Sequence, residues 1–198
     1  HETDMIHQEE GYVVRHSILV QLQHWLVAGS GLVLLFSGFG QMPLYKRYML
    51  GNVPGMAWVT DFILQFEIHM AAAAVFTFAG IFHLVYHYIE GGRSILPMKG
   101  DVTESIHIIK AILKGEKEPP HGKFLAEQRL AYALIGFSII LLIITGFFKF
   151  ADNLPSVNMP FWATFWTTML HNAGTMLFFL AFIAHIGAFA LKANWPLF

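Results

Sequence analysis

Four stretches of this chain are mostly apolar and long enough to cross a hydrocarbon core of roughly 30 Å, which takes about 20 helical residues. They cover about 20–39, 62–88, 130–150 and 161–190. The first reads "VQLQHWLVAGSGLVLLFSGF" and the third "LAYALIGFSIILLIITGFFKF". Lipid offers no water to backbone N–H and C=O groups, so each stretch must bond internally as a helix. The expectation is an all-α membrane protein, a four-transmembrane-helix bundle forming a single membrane domain over 1–198. Only 13% of the residues are charged, about half the share of a soluble domain. There is no Cys, which excludes disulfides, iron–sulfur ligation and thioether-bound haem within the chain. A net charge of -1 carries no sign of a nucleic-acid partner. The opening "HETDMIHQEE" has no signal-peptide pattern, and a few natural residues are expected before it.

The long connection, about 89–129, contains "DVTESIHIIKAILKG". Thr103 is expected to cap a helix there and Gly115 to end it. Ile106, Ile109, Ile112 and Leu113 fall on one side, so this helix is expected to lie along the membrane interface. Lysine and arginine then orient the chain. The long connection and the tails carry Arg15, Arg93, Lys99, Lys110, Lys114, Lys117, Lys123, Arg129 and Lys192. The opposite side carries Lys46, Arg47 and Lys149. Both termini and the long connection are therefore expected in the cytoplasm.

Histidine is the unusual residue inside these spans. His69 and His83 are fourteen positions apart in the second, and His171 and His185 are fourteen apart in the fourth. Fourteen helical residues rise about 21 Å and return to within roughly 40° of the same face. Spans two and four run in the same direction. His69 and His171 are thus expected at an outer level, and His83 and His185 at an inner one. His24, at the start of the first span, also reaches the inner level. Intramembrane imidazoles are costly and face the bundle interior. Helix–helix hydrogen bonding is the plain explanation for any one of them. Five at two matched depths point instead to axial positions on two b-type haems, with irons about 21 Å apart along the helix axis. Gly29, Gly31, Gly38 and Gly174, with Ala71 to Ala74, would let a flat macrocycle approach, although taken alone they are better explained by small-residue packing between helices. His24, His83 and His185 compete for the two inner positions. A His-lined metal-ion transporter is the rival reading. It needs acids in the spans, yet spans one, three and four have none, and Asp61 and Glu67 sit at one end of span two.

These residues resemble a known group. "QHW" (Gln23 to Trp25) followed by "FSGF", "EIH" ending at His69, "ILKG" (Ile112 to Gly115), "GKFLAEQR" (Gly122 to Arg129), and "LH" with His185 fourteen later carry the likeness. The chain resembles, from about residue 12 to 190, the cytochrome b (gamma) subunits of respiratory formate dehydrogenases. It is also similar to the wider di-haem cytochrome b group of nickel–iron hydrogenases and thiosulfate reductases. The resemblance implies two haem b groups, with His24 and His185 on the inner and His69 and His171 on the outer. His83 is then surplus, an alternative inner ligand. It implies a quinone site, for menaquinone or ubiquinone, where the long connection meets span three. Lys123, Glu127 and Gln128 lie in that stretch, with His16 a weaker candidate. Leu125 and Glu127 depart from the formate dehydrogenase pattern, which has Asn and Gly there. The resemblance further implies an iron–sulfur subunit and a catalytic oxidoreductase subunit as partners, in a bacterial or archaeal inner membrane, with a higher oligomer of the complex expected. This chain would be the electron-transfer anchor and not the catalytic subunit. Formate dehydrogenase, hydrogenase, a sulfur-compound reductase and a multihaem cytochrome c all stay open as the electron source.

Overall fold

The computed structural model of the chain describes residues 8–9, 12–13, 17–90, 95–116 and 126–189. Among these residues the helices are α1 (Ile18–Gln41), α2 (Leu44–Arg47), α3 (Phe62–Glu90), α4 (Asp101–Lys114), α5 (Ala126–Asp152) and α6 (Phe161–Phe189). A two-residue antiparallel ladder, β1 (Gln8–Glu9) with β2 (Tyr12–Val13), precedes them. Helices α1, α3, α5 and α6 are long and apolar enough to cross a membrane. The four expected spans are therefore four continuous helices. Large apolar side chains such as Leu22, Phe78, Ile144 and Leu180 are exposed along them. In water that surface would aggregate; against lipid it needs no cover. Trp25, Trp58, Tyr88 and Trp162 are exposed at or beside span ends, where amphipathic rings settle at the headgroup level.

The chain divides into two compact units, His1–Tyr86 and His87–Phe198. In the first, Ser17 caps α1 by accepting a hydrogen bond from the Val20 N–H. At the far end, α1 crosses α3 where Gly40 meets Gln65. A Cβ on Gly40 would lie 2.8 Å from Gln65 Cγ. Gln65 is fully buried, and its Nε2 donates to the Val59 carbonyl at 3.1 Å, so glycine is required at the crossing. The connection between α1 and α3 folds back through α2 and two 3-10 turns, Leu50–Asn52 and Ala57–Thr60. It is held by Tyr45, whose hydroxyl donates to the Phe36 carbonyl at 2.7 Å. The Phe36 ring also packs against those of Tyr45 and Trp58.

In the second unit α5 packs on α6. Gly174 of α6 makes room for α5. A Cβ there would meet Leu142 and Leu141 methyls at 3.2 and 3.3 Å. Gly174 thus has the ordinary small-residue role in helix packing. Helix α4 differs from expectation. It starts at Asp101, before Thr103, because the Asp101 carboxylate organises the preceding turn. Its Oδ2 accepts from the Met98 N–H at 2.7 Å. Arg129 of α5 donates to the same carboxylate through Nε at 2.9 Å and Nη2 at 2.6 Å. Both side chains are nearly inaccessible. Asp101, Ser105 and Ile108 form the buried stripe of α4, while Ile106, Ile109 and Leu113 are exposed. Thr103, His107, Lys110 and Lys114 are exposed as well, so the uncovered side is amphipathic, which suits a helix along an interface. Gly115 ends it with φ 71, and the Glu116 N–H returns to the Ala111 carbonyl at 2.9 Å, a closure that favours glycine.

The Arg129 hydrogen bonds, then the Met98 amide, hold the Asp101 carboxyl down at about 2. A depressed folded value means the clamp contributes fully above the ordinary carboxylate range and is lost as pH falls through about 2. Asp101→Asn should reproduce the acid state at neutral pH. Amide exchange over 101–114 of the detergent-solubilised chain should rise in the variant at pH 7, and in the parent only below about pH 3. Equal protection in the two chains at pH 7 would show that the ion pair does not hold α4.

Candidate functional site

The site histidines lie on α3 and α6, which run unbroken past both members of each pair. The fourteen-residue spacing therefore converts to about 21 Å of rise, as the sequence argument assumed. His69, His83, His171 and His185 are all half-buried.

In the first unit, His69 Nδ1 lies 2.9 Å from the Ser37 hydroxyl of α1. The same hydroxyl lies 2.8 Å from the Val33 carbonyl, one turn back. A carbonyl can only accept, so the hydroxyl proton goes to Val33, and the ring donates Nδ1–H to Ser37. The opposite assignment would leave two acceptor oxygens facing each other without a proton. In the second unit, His171 Nδ1 lies 2.8 Å from the Thr145 hydroxyl of α5, which lies 2.7 Å from the Leu141 carbonyl. The same reasoning makes His171 an Nδ1–H donor. In both rings the lone pair is then on Nε2, the tautomer that a metal-ligating imidazole needs.

Each hydroxyl residue is followed by glycine. A Cβ on Gly38 would lie 3.6 Å from His69 Cε1, and one on Gly146 would lie 3.6 Å from His171 Cε1. The backbone thus leaves room for no more than ordinary contact at Cε1 of each ring, with Nδ1 of His69 next nearest at 3.9 Å. Gly38 was among the small residues that the sequence singled out; Gly146 was not.

At the other histidine of α3, His83 Nδ1 lies 3.2 Å from Gln23 Oε1. Gln23 is 2% exposed, and its Nε2 is buried with no hydrogen-bond partner among the described residues. In this unit the α1 residue that meets His83 is Gln23. His24, its neighbour, is exposed and packs edge-on against Trp25 at 5.2 Å. Gln128 is half-buried beside the buried Arg129. His16 and Lys123 lie outside the described residues, as does the side chain of Glu127.

The sequence reading missed Ser37, Thr145 and Gln23. The signal was there as "SGF" at 37–39 and "TGF" at 145–147, each preceding a span with two histidines fourteen apart.

An imidazole fixed as a neutral Nε2 donor inside a membrane helix, with a glycine beside it, fits an axial ligand of a planar iron cofactor. The chain also matches the model of the prokaryotic cytochrome b561 family over residues 15–196. It belongs to that family. A comparison with curated proteins gives no match. Family membership makes this a multi-pass membrane cytochrome b that takes part in electron transfer and binds haem b.

Alanine at Gly38 or Gly146 meets only ordinary van der Waals distances within the protein. Either substitution should leave membrane insertion intact but lower the haem b content per chain, as measured by pyridine haemochrome. Full haem content in both would show that the macrocycle does not use this space.

Proposed function

We propose that this cytochrome b holds two b-type haems and anchors an extracytoplasmic oxidoreductase, passing its electrons to a membrane quinone. The observation that carries the reading is the pair of span histidines, His69 and His171, each fixed by a helix hydroxyl in the ligating tautomer. The remaining axial positions go to His24 and His185, following the sequence resemblance, with His83 as the alternative inner ligand. Haem b, when bound, supplies one-electron ferric–ferrous chemistry. The chain's own part is to hold the ligand rings and to keep water from them within the spans. The catalytic partner is of the formate dehydrogenase kind, joined through an iron–sulfur subunit. The Lys/Arg asymmetry supports a cytoplasmic location for both termini, in a bacterial or archaeal inner membrane.

Quinone reduction takes up two protons with two electrons, so its site must reach cytoplasmic water. The start of α5, with Glu127 and Gln128, is the part of the long connection that suits it. Gln128 can donate to a quinone carbonyl. The clamp between Arg129 and Asp101 holds the start of α5 in place. The transporter reading is weaker: among the described residues no three His, Asp or Glu side chains are arranged to hold a metal ion.

His171→Ala should remove one of two haems while the chain still inserts. His24→Ala should remove the other, and His83→Ala should retain both. A reduced-minus-oxidised spectrum with haem quantification checks all three. Loss in His83→Ala with retention in His24→Ala would transfer the inner ligand to α3.

In the assembled complex, Gln128→Leu and Glu127→Ala should slow quinone reduction at least tenfold, about the loss of one well-placed polar contact. Both haems should stay reducible by the catalytic partner. Unchanged quinone turnover would move the site toward Arg15 and His16.

A further inference from the structure

The two units carry the same local device, and it reaches beyond the histidines. Each has a hydroxyl residue, a glycine and a phenylalanine in sequence: Ser37, Gly38, Phe39 and Thr145, Gly146, Phe147. Each hydroxyl bonds the carbonyl four residues back and accepts the Nδ1–H of a histidine on the next long helix, at closely equal distances. A Cβ on either glycine would lie at the same 3.6 Å from Cε1 of that ring. The residues that follow the two histidines match as well. Three, seven and ten positions on, His69 is followed by Ala72, Phe76 and Ala79, and His171 by Gly174, Phe178 and Ala181, all of them buried. A stripe at that spacing fixes which face each helix turns inward, and with it the direction of each imidazole. Independent chance does not produce the same donor, acceptor, glycine and buried stripe twice.

We propose that Ser37 and Thr145 are matched positioning residues for haem, setting both the ring orientation and the donor strength of His69 and His171. The proposal rests on the reading of those histidines as axial ligands. An Nδ1–H that donates to oxygen makes the imidazole more electron-rich at Nε2, which favours ferric over ferrous iron. A hydroxyl does this less strongly than a carboxylate would. It also avoids burying a charge in the span, which is expensive there. Because the hydroxyl proton is committed to a helix carbonyl, the oxygen is held as an acceptor, and the ring cannot reverse its tautomer without losing a bond.

The test uses the full-length chain, purified in detergent with its haem. Ser37→Ala and Thr145→Val should each raise the midpoint potential of a haem and alter its low-spin ferric EPR signal, which reports the ligand-ring orientation. Each should also weaken haem retention about tenfold. Ser37→Thr and Thr145→Ser should restore the parent signals, since both keep the hydroxyl. Thr145→Val preserves side-chain shape, so a failure to fold cannot explain its effect. Thr175→Val is the control: its hydroxyl bonds the His171 carbonyl at 2.9 Å and not the ring, and it should move neither potential nor EPR. Full haem content with unmoved potential and EPR in both hydroxyl-deleted variants would overturn the proposal. A parent chain that binds no haem b would instead overturn the axial-ligand reading itself.

Discussion

The structure depends on one constraint: no polar group inside lipid can be left to water. The backbone meets it by forming four unbroken helices. Side chains meet it locally. Ser30, Ser37, Ser138, Thr145 and Thr175 each return their proton to a carbonyl one turn back on the same helix. Such back-bonding costs a helix little and hides a hydroxyl from lipid. Its secondary effect is more consequential. A hydroxyl that has given up its proton becomes a fixed acceptor, and at Ser37 and Thr145 that acceptor fixes a histidine. The solution to a lipid-solubility problem thereby orients an imidazole within the span.

Close helix approach is the second requirement. Between membrane helices there is no hydrophobic gain to be had from burial against lipid, so packing rests on small residues. Gly40 against Gln65 and Gly174 against the Leu141–Leu142 pair are such contacts, with Cβ-equivalent distances at or below 3.2 Å for the nearest atom. Gly38 and Gly146 are different. Their neighbours are imidazole carbons at 3.6 Å, and the space beside them is not filled by a packed leucine. Glycines that look alike in sequence therefore divide into those that let helices touch and those that leave room beside a functional ring.

Outside the spans the rules change. The buried Asp101–Arg129 pair would be a poor source of stability in itself, because desolvating two charges offsets most of their attraction. Its value here is positional. It joins the first turn of α4 to the first turn of α5 with bonds to Arg129 and to the Met98 amide. It thereby fixes the start of the amphipathic helix against the start of the span. Gln128 sits next to that anchor.

What was legible in the sequence was whatever follows from period and solvent. Span number, helix continuity through "HMAAAAVFTFAGIFH", the exposed apolar side of α4 and the Gly115 stop all follow from local rules, and the structure has them. Histidine spacing gave the two levels on each helix for the same reason, since rise per residue is fixed. Local rules could not say which neighbour each side chain meets. Thr103 could cap a helix by residue type, but α4 starts at Asp101, whose carboxylate is held by Arg129, far along the chain, and by the Met98 amide. Gly174 could by its sequence serve packing or a cofactor, and two leucines of α5 lie against it. Ser37 and Thr145 drew no attention in the sequence, and Gln23 entered only as part of "QHW". Only tertiary structure places Gln23 against His83 and the two hydroxyls against His69 and His171. A hydrogen bond between helices depends on rotation and crossing, and those are set by packing over the whole length of a helix, not by any one residue's own preference.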